Sequence, residues 1–334
     1  MKRFDRDGAF ELAYAASRGA GAGESAARSL AQATVSAEFD GKASAGFQHL
    51  PDYLAALAAG RIVGDAEPEL ACPTAALIRS DARGGIAQLG FDRAFDQLCR
   101  ACAVQGVAIF AQRNSFTTGE LGYYVRRLAE VGFVALAATN GPALMTVPGG
   151  VAPVYCTNPI AFAAPVEHGP PLVIDQATSA TAFVDVRKRA ERGEKLPLGW
   201  AVDADGAETT DADAAMRGAL LTFGGARGAN IALMVEVLAA GLTGANWSLD
   251  APSFTSGASP PGAGLLVIAM APKWMAPDFA GRLEVQLARL ADAGVHIPGR
   301  SKGDSGGRAA AIELPSSLVE KIEAYRLPGP GGTV

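Results

Sequence analysis

The chain has 334 residues, of which 49% are hydrophobic and 19% are charged, and its 29 basic and 34 acidic side chains give a net charge of −5. This length and composition predict a folded protein with a large core, divided into two or more lobes, and exclude intrinsic disorder. The sequence has no block of basic residues, which argues against nucleic acid or an anionic membrane as the main partner.

The first 65 residues or so are predicted to be mainly helical. Acidic residues interrupt the opening stretch, so we expect neither a secretory signal nor a membrane span there. Ser25 can cap a helix that runs to about Glu38. The next helix carries large apolar residues at the i, i+3, i+4, i+7 spacing of a buried face: Leu50, Tyr53, Leu54 and Leu57.

Two motifs in this first third of the chain are interpreted as structural. The glycines of RGAGAG at 18–23 do not form GxGxxG and follow a helix instead of a strand, so they are predicted to form a loop between helices. In CRAC, Cys99 and Cys102 share a helical face with Phe95 and Leu98, which favours thiols packed in a core over a redox or zinc site. The four cysteines are too few and too scattered for a disulfide framework, and they fit a reducing cytoplasm.

From about residue 75 the pattern changes to alternating strands and helices. The apolar runs at 107–112 and 134–139 flank an amphipathic helix, so they are expected to pair in parallel through a right-handed crossover. Further buried strands are predicted at 172–175 and 264–271, late helices at 280–293 and 315–326, and loops at 148–153, 256–263 and 328–332. The fold class is therefore α/β with a helical N-terminal portion.

Several polar stretches have the residue types of a ligand site. Asp175, Thr178 and Ser179 follow a buried strand, a common place for ligand contacts in α/β proteins. Glycines around Arg227 precede an apolar helix, whose first N–H groups and guanidinium suit a phosphate or a carboxylate; close helix packing is the alternative reason for these glycines. Asp185 stands at the start of a predicted basic helix, where a solvated face is the alternative.

Five segments in a fixed order resemble the malate/L-lactate dehydrogenase-like oxidoreductases: TNPIAFAAP, DQATSATA, GWAVDADG, GGARGANIALMVEVLAAGLTGA and HIPGR. That family includes ureidoglycolate, sulfolactate and diketogulonate enzymes and the reductases of Δ1-pyrroline- and Δ1-piperideine-2-carboxylate. The resemblance runs from about residue 10 to residue 325. It implies a non-Rossmann α/β fold, an NAD(P) cofactor and a homodimer.

The resemblance also implies which residues contact the cofactor. The segment 177–182 is similar to a wall of the nicotinamide site, and 114–121 is similar to a loop that touches cofactor and substrate. Arg300 and Lys302 lie where an adenosine phosphate is met, which favours NADPH over NADH. The implied cofactor contacts are Thr117, Thr118, Gly119, Asp175, Ala177, Thr178, Ser179, Arg227, Gly228, Gly299, Arg300 and Ser301.

The chain departs from the family at two positions that matter for proton transfer. The family typically has Ser-His-Gly, with the histidine as proton donor, where this chain has Ser44, Ala45 and Gly46. It often has a second histidine where this chain has Thr117. An alanine cannot donate a proton, and the hydroxyl of a threonine is far from a pKa that is useful near neutrality.

A substrate that needs little help from a protein acid fits these replacements. We predict the NAD(P)H-dependent reduction of a small cyclic 2-imino acid, whose nitrogen arrives already protonated, so that positioning and electrostatics supply most of the acceleration. His49, at a position that often holds arginine in the family, is expected to hold the substrate together with Ser44, Thr117 and Thr118. The predicted catalytic group is Ser44, His49, Thr117 and Asp185, in which Asp185 favours the charge of the iminium.

Two other hypotheses remain open. One is a 2-oxo acid/2-hydroxy acid dehydrogenase in which His49 or water is the acid; His49 lies four positions beyond Ala45, so geometry decides whether its ring reaches the same point. The other is a catalytically lapsed relative that binds a dinucleotide. No metal site is predicted, because the three histidines stand far apart without the spacing of metal ligands.

The expected organisation follows from the pattern and the resemblance together. Residues 1–75, joined by a C-terminal helix at 312–326, are expected to form a helical portion that carries part of the substrate site. Residues 76–310 are expected to form the α/β cofactor-binding portion, and residues 327–334 a loose tail.

Overall fold

The structure, a computed structural model, describes residues 1–298 and 310–326 of the chain. Its α-helices are α1 (Arg6–Gly19), α2 (Glu24–Phe39), α3 (Leu50–Ala58), α4 (Ala87–Gln105), α5 (Gly122–Glu130), α6 (Phe183–Glu191), α7 (Ala212–Arg217), α8 (Ala226–Glu236), α9 (Phe279–Asp292) and α10 (Ser316–Glu323). Its strands are β1 (Lys2–Phe4), β2 (Glu69–Thr74), β3 (Leu77–Asp81), β4 (Val107–Ser115), β5 (Val134–Thr139), β6 (Met145–Thr146), β7 (Ile160–Ala164), β8 (Leu172–Gln176), β9 (Ala201–Val202), β10 (Ala219–Leu221), β11 (Ala263–Met270) and β12 (Ile312–Leu314). A π-helical turn (Val237–Gly241) continues α8.

The first three helices bury the apolar faces that the sequence predicts. The predicted stripe of α3 lies in one core with α1 and α2, and none of its four members is more than 6% exposed: Leu50, Tyr53, Leu54 and Leu57. Side chains from β12 and α10 join the same core: Ile312, Leu314, Val319 and Ile322. Strand β1 pairs with β12 in antiparallel fashion, so segments from both ends of the described chain meet beside these helices.

The start of α2 differs from the prediction. Ser25 lies inside the first helical turn, and Gly23 is the N-cap residue, without a side-chain cap. The hydroxyl of Ser25 instead accepts a hydrogen bond from Arg93 Nη2 of α4 at 3.0 Å. The prediction that Ser25 caps this helix was wrong, because the chain is already helical at Glu24. Residues 20–23 of the RGAGAG segment form the predicted connection between α1 and α2, while Arg18 and Gly19 still belong to α1.

A seven-stranded sheet forms the centre of the α/β part, in the order β2-β3-β4-β11-β5-β7-β8. Only β3 and β4 pair in parallel, and all the other neighbours are antiparallel. Helices α4 and α5 pack on this sheet over a second apolar core. A sheet of this kind is unlike a Rossmann sheet, in which parallel strands alternate with helices.

The expected parallel pairing of the runs at 107–112 and 134–139 was wrong. Strand β11 lies between β4 and β5 and pairs with both, so that Val267 is opposite Phe110 on one side and Ala137 on the other. The two runs do point the same way, since each is antiparallel to β11. Val267 and its two partners are fully buried, and this insertion completes the apolar centre of the sheet.

A smaller three-stranded sheet, in the order β6-β10-β9, packs with α6 and α7 over a separate core. Helix α8 follows β10 after a short loop, and the 178–182 segment runs beside that loop. Among the described residues, no helix combines the length and the apolar character that crossing a membrane requires.

The cysteines of CRAC lie on α4 as the helical spacing predicts. Cys102 is fully buried in the core under the sheet, and Cys99 packs against that core. Burial raises the pKa of Cys102 to about 11, which leaves the thiol protonated and unreactive at neutral pH. All four cysteines are free thiols.

Candidate active site

A tight turn carries the residues that replace the family's Ser-His-Gly motif. The N–H groups of Ala45 and Gly46 both donate to the carbonyl of Lys42, at 2.9 and 3.0 Å. The next N–H, of Phe47, donates to Glu38 Oε2 at 2.9 Å. A Cβ on Gly46 would lie 2.5 Å from that carboxylate oxygen and 3.1 Å from the backbone nitrogen of Glu38, so the glycine lets the turn pack closely against α2. Helix α2 therefore fixes the position of this turn.

His49 lies at the start of α3 and is held by both ring nitrogens. Its Nδ1 is 2.9 Å from Asp52 Oδ2, and its Nε2 is 3.1 Å from the hydroxyl of Thr117. The edges of the Tyr53 and Phe254 rings pack on it, with centroids 5.0 and 6.1 Å away. Only 12% of the side chain is exposed. The structure thus brings two predicted site residues, His49 and Thr117, into direct contact.

The loop after β4 is positioned by three buried side chains. Tyr53 OH donates to the carbonyl of Thr117 at 2.7 Å, while Gln88 Nε2 and Tyr124 OH donate to the carbonyl of Thr118 at 3.0 and 2.7 Å. Burial raises the pKa of Tyr53 to about 12, so this phenol remains a hydrogen-bond donor. These contacts fix the conformation of a loop for which the sequence alone predicts no defined structure.

The same loop lies beside the turn that carries Ala45. The carbonyl oxygen of Ala45 is 4.0 Å from the place where a Cβ on Gly119 would be. Gly119 has a φ of 69°, a left-handed conformation that favours glycine. Two segments that the resemblance assigns to substrate and cofactor therefore adjoin each other in the fold.

Arg187 of α6 reaches across to this cluster and pairs with Asp52. Its Nη1 and Nη2 donate to Asp52 Oδ1 and Oδ2, each at 3.2 Å, in a two-pronged pair. Burial opposes ionisation of Asp52, but the hydrogen bonds and charges of His49 and Arg187 outweigh it and lower the pKa of this carboxyl. The neighbouring Lys188 bonds Gln48 Oε1. Helix α6 is thus tied at two points to the segment that holds His49.

Asp175 lies at the end of β8, where it anchors the start of α5. Its Oδ2 accepts a hydrogen bond from the N–H of Gly122 at 2.8 Å, and Lys42 Nζ donates to its carbonyl oxygen at 3.4 Å. Burial raises the pKa of Asp175, although the Gly122 N–H and Lys42 act in the opposite direction. Glu120 next to it also has a pKa raised by burial, and Arg126 donates to that carboxylate at 3.0 Å.

The predicted cofactor segments around 178 and 225 lie side by side. The N–H of Thr178 donates to the carbonyl of Thr157 at 2.8 Å, and its own carbonyl accepts from the N–H of Phe223 at 3.0 Å. The N–H of Ala180 donates to Leu221 at 2.8 Å. Ala177 precedes this pairing and is partly exposed. The two stretches, which are far apart in sequence, thus form one surface.

The beginning of α8 has the features of an anion site. Gly225 is its N-cap residue, and the first turn of a helix leaves backbone N–H groups without intrahelical partners. Arg227 is exposed in that turn, and Gly228 is buried against the loop that leads into it. A Cβ on Gly228 would lie 2.0 Å from the carbonyl oxygen of Phe223. Backbone N–H groups and a guanidinium at one helix start are the chemistry of an anion site.

Other predicted residues take no part in the described side-chain hydrogen bonds of His49 and Thr117. Asp185 is half-exposed, and its carboxylate lies 3.9 Å from Lys188 Nζ. Ser44 lies in the turn beside Ala45, partly buried. Gly299, Arg300 and Ser301 lie outside the described residues, as do Lys302 and the predicted tail 327–334.

Several residues of the cluster were not predicted from the sequence. Asp52 stands three positions after His49, a spacing that places two side chains on one helix face, so the printed sequence did hold a signal for it. Tyr53 stands four positions after His49 and carries the same signal for its ring contact, whereas the bond of Tyr53 to Thr117 and the contacts of Gln88 and Phe254 join distant parts of the chain.

One exposed group outside this cluster has metal-ligand chemistry. Ligand atoms of Glu167, His168 and Glu284 lie within 4.8 Å of one another, near the turn after β7 and on α9. Exposed acidic groups of this kind are common without a metal. The expectation that the chain needs no metal stays a prediction.

The described contacts join three of the segments on which the sequence resemblance rests, those around Thr157, Thr178 and Phe223, and comparison with known proteins supports the resemblance. The family model described as malate/L-lactate dehydrogenase matches residues 4–323. The chain belongs to the malate/L-lactate dehydrogenase family. This membership confirms the predicted family, the non-Rossmann α/β fold class and the assignment to the oxidoreductases.

Relatives within the malate/L-lactate dehydrogenase family align over almost their whole length. The chain is 38% identical to the (2R)-3-sulfolactate dehydrogenase (NADP(+)) of Chromohalobacter salexigens, over 94% of this chain and 95% of that one. It is 37% identical to the Δ1-pyrroline-2-carboxylate/Δ1-piperideine-2-carboxylate reductase of Pseudomonas aeruginosa, over 97% and 99%. The crystal structure of Δ1-piperideine-2-carboxylate reductase from Pseudomonas syringae pv. tomato superimposes with a TM-score of 0.89 at 35% identity, covering 97% of this chain and 100% of that one.

Proposed function

We propose that the protein reduces a small cyclic 2-imino acid of the Δ1-pyrroline- or Δ1-piperideine-2-carboxylate type. The observation that carries this proposal is the pair of facts at the candidate site: residue 45 is alanine, and the one imidazole near it, His49, is bonded to Asp52 and Thr117. A protonated imine needs no proton from the protein when hydride arrives, whereas a ketone does. The relatives named as reductases of these two compounds support the same substrate class.

The chain's own residues are proposed to bind and orient the substrate. His49 Nε2 and the hydroxyls of Thr117 and Ser44 form the polar side of the site and hold the substrate carboxylate, with Thr118 beside them. Phe254, whose ring packs between His49 and Phe183, offers an apolar surface to a ring-shaped substrate. The carboxylate of Asp185, at the start of α6, favours the positive charge of the iminium.

The cofactor is proposed to be a nicotinamide dinucleotide, with NADPH favoured over NADH. When bound, it supplies the hydride that reduces the imine carbon. The surface formed by Thr178, Ser179 and the first turn of α8 is proposed to hold it, with Arg227 near its phosphates. The relative that acts with NADP(+) supports the choice of NADPH, as does the charge of Arg300 in the sequence.

A second function is favoured by one contact and deserves a direct comparison. The Asp52–His49 hydrogen bond is the arrangement that would support His49 as a proton donor to a 2-oxo acid. The sulfolactate dehydrogenase among the relatives acts on a hydroxy acid. The two functions predict different responses to the loss of His49.

A substrate screen tests the proposed function. We expect the protein with NADPH to reduce Δ1-piperideine-2-carboxylate and Δ1-pyrroline-2-carboxylate with a kcat/KM at least about tenfold above those for pyruvate and oxaloacetate, because only the imines bring their own proton. The measurement is the initial rate of NADPH or NADH oxidation with each acid.

The variant His49→Gln separates the two functions. If His49 holds the carboxylate, the variant should raise KM for the imine more than it lowers kcat; if His49 is the acid, kcat should collapse while KM changes little. His168→Gln, a change at an exposed histidine outside the site, is the matched control. A preference for pyruvate over both imines would contradict the proposal, and a complete lack of turnover with either class would favour the lapsed relative.

We also propose the organisation of the chain and its assembly. The helical lobe of α1, α2, α3 and α10 is proposed to carry the substrate side of the site, and the α/β part the cofactor side, which the contacts of His49 and Thr178 support. A homodimer is proposed through the exposed apolar surface on and after α8, with Leu233, Met234 and Val237 at its centre. Location in the cytoplasm is supported by four free thiols.

A further inference from the structure

We propose that Asp52 is a positioning residue that selects the protonation pattern of His49, and that Arg187 limits how strongly it does so. The role of this trio in substrate binding rests on the proposed function. The arrangement itself can be measured without any substrate or cofactor.

The geometry fixes which ring nitrogen carries a proton. Asp52 lies in the first turn of α3, one turn after His49, and its Oδ2 is 2.9 Å from His49 Nδ1. An ionised carboxylate only accepts hydrogen bonds, so Nδ1 must be the donor. In the neutral ring Nε2 then has no proton and accepts a hydrogen bond from the hydroxyl of Thr117, 3.1 Å away. Nε2 becomes a donor toward a substrate carboxylate only when the ring is charged.

The ring cannot turn away from this arrangement without losing its packing. Tyr53 and Phe254 both meet it edge-on, and the side chain is 12% exposed. The carbonyl of Phe254 is itself held by Arg61 Nη1 at 2.6 Å. Asp52 therefore acts on a ring whose orientation is already restricted, and its main effect is on the ring's charge.

Arg187 opposes that effect. Its guanidinium covers both oxygens of Asp52 at 3.2 Å, so the carboxylate shares its negative charge between a permanent cation and the ring. The lowered pKa of Asp52 keeps this carboxylate ionised across the neutral range. Without Arg187, the full negative charge of Asp52 should act on the His49 ring. Without the charge of Asp52, no carboxylate should stabilise the charged ring at Nδ1.

Other titratable groups surround the trio at greater reach. They come from α2, α3, α6 and the segment after α3: Glu38, Tyr53, Asp185, Lys188 and Arg61. Lys188 bonds Gln48, and Glu38 bonds the N–H of Phe47. The charged groups in direct hydrogen-bonded connection with Nδ1 are Asp52, which contacts it, and Arg187, which donates to Asp52.

This arrangement would explain how a histidine can stand where related enzymes often have arginine. A substrate carboxylate at Nε2 requires a charged ring, which arginine supplies permanently and histidine supplies only when protonated. Asp52 favours that charged form. The pairing thus links the carboxylate site to the charges that Asp52 and Arg187 place beside the ring.

The test is the titration of the His49 ring, followed by NMR on the full-length protein without ligands. The chain has three histidines, so the His49 signal is assigned by its absence in His49→Gln. Asp52→Asn, which can keep the hydrogen bond but loses the charge, should lower the titration midpoint by about one pH unit. Arg187→Gln should raise it, and ring nitrogen shifts should show the Nδ1–H form in the unmodified protein.

The opposite signs of the two shifts distinguish this proposal from a general disturbance of the fold. Arg192→Gln and Glu191→Gln, exposed charge changes at the end of the same helix, are the matched controls and should leave the midpoint unchanged. Unchanged midpoints in both test variants, or shifts in one direction, would overturn the proposal. If Asp52→Asn fails to fold, Arg187→Gln and Arg187→Lys still decide it, since the first should raise the midpoint more than the second.

The titration and the substrate screen fail independently. If the midpoint shifts are opposite but the protein reduces no imine, the roles of Asp52 and Arg187 toward His49 are supported and the proposed function is refuted. If the protein reduces imines but the midpoint of His49 is the same in Asp52→Asn and Arg187→Gln, the proposed function stands and the roles of Asp52 and Arg187 are refuted. With an active protein, Asp52→Asn should also raise KM for the imine at alkaline pH more than at acidic pH.

Discussion

Ala45 lies in the turn that begins at Lys42, with its carbonyl oxygen beside Gly119. In the family this position typically holds the proton donor, and a methyl group cannot take that role. The turn is held by backbone hydrogen bonds and by Glu38, which bonds the N–H of Phe47, and none of these contacts uses the side chain of residue 45. The loss of the imidazole therefore removes an acid without removing the scaffold that would carry it.

Ala45→His should consequently restore acid chemistry. A positioned general acid contributes roughly 10²- to 10⁴-fold to such reactions, so we expect kcat/KM for pyruvate to rise at least about tenfold while that for the imines changes little. Steady-state rates with both classes give the comparison. Ala45→Gln, which adds similar bulk without an acid, should produce no gain with pyruvate; an equal gain from it would contradict the explanation.

Individual contacts differ in how far sequence could predict them. The His49–Asp52 pair follows from helical spacing once α3 is recognised, and its stripe of leucines made that possible. The contact with Thr117 could not be predicted from the residues themselves, because it depends on a loop fixed by Tyr53 and Gln88. Family resemblance alone brought Thr117 into the candidate site.

Among the elements, the loop that enters α8 depends most on small residues. It runs from β10 to Ala226 and turns through Gly224 and Gly225, whose φ angles are 57° and 64°. Thr222 Oγ1 donates to the carbonyl of Gly225 at 2.8 Å and closes the turn. Gly228 packs on the backbone of the same loop, so the helix and its entry loop form one unit.

Gly228→Ala should break this unit. The added Cβ would meet the Phe223 carbonyl at 2.0 Å, and a backbone atom cannot move aside without displacing the loop. We expect cofactor affinity to fall at least about tenfold and the free energy of unfolding to fall by about 1–3 kcal/mol. Fluorescence titration with NADPH and urea unfolding measure the two effects. Asn230→Ala, an exposed change on the same helix, should leave both within error.

Most helices and the four strands β4, β5, β8 and β11 were predictable, whereas the other strands and the strand pairing were not. The runs that became β4, β5, β8 and β11 are apolar enough to be recognised one by one. The sequences of β4 and β5 do not indicate that β11, a strand from much later in the chain, lies between them. The sequence pattern specifies which segments are buried, and the partner of a fully apolar strand is decided by the packing of the whole sheet.

At the scale of the whole molecule, one surface is unusual for a protein that acts alone. Residues 228–249 contain a single charged residue, Glu236, and it is buried in hydrogen bonds with Asn158 and Ser248. Large apolar side chains in this region are between 45% and 71% exposed: Leu233, Met234, Val237, Leu242, Trp247 and Leu249. Exposed apolar side chains gathered in one region are typical of a protein–protein interface, and the proposed homodimer would cover them.

Leu233→Asp should therefore weaken the proposed homodimer. A charge at the centre of an apolar contact is costly when the surfaces meet, so we expect the dimer dissociation constant to rise at least about 100-fold. Sedimentation velocity over a range of protein concentrations gives the oligomeric state. Val285→Asp, at a similarly exposed apolar position on α9, should behave like the unmodified protein. A monomer in the unmodified protein would contradict the assembly itself.

The position of strand β11 has a consequence for how the protein folds during its synthesis. It fills the middle of the seven-stranded sheet, yet the chain reaches it only after β6, β7, β8, β9 and β10 have been made. Until then β4 and β5 each present an open inner edge with nothing to pair it. Biosynthesis thus exposes the centre of the sheet before it can be closed, and unpaired edges of this kind are prone to pair with another chain.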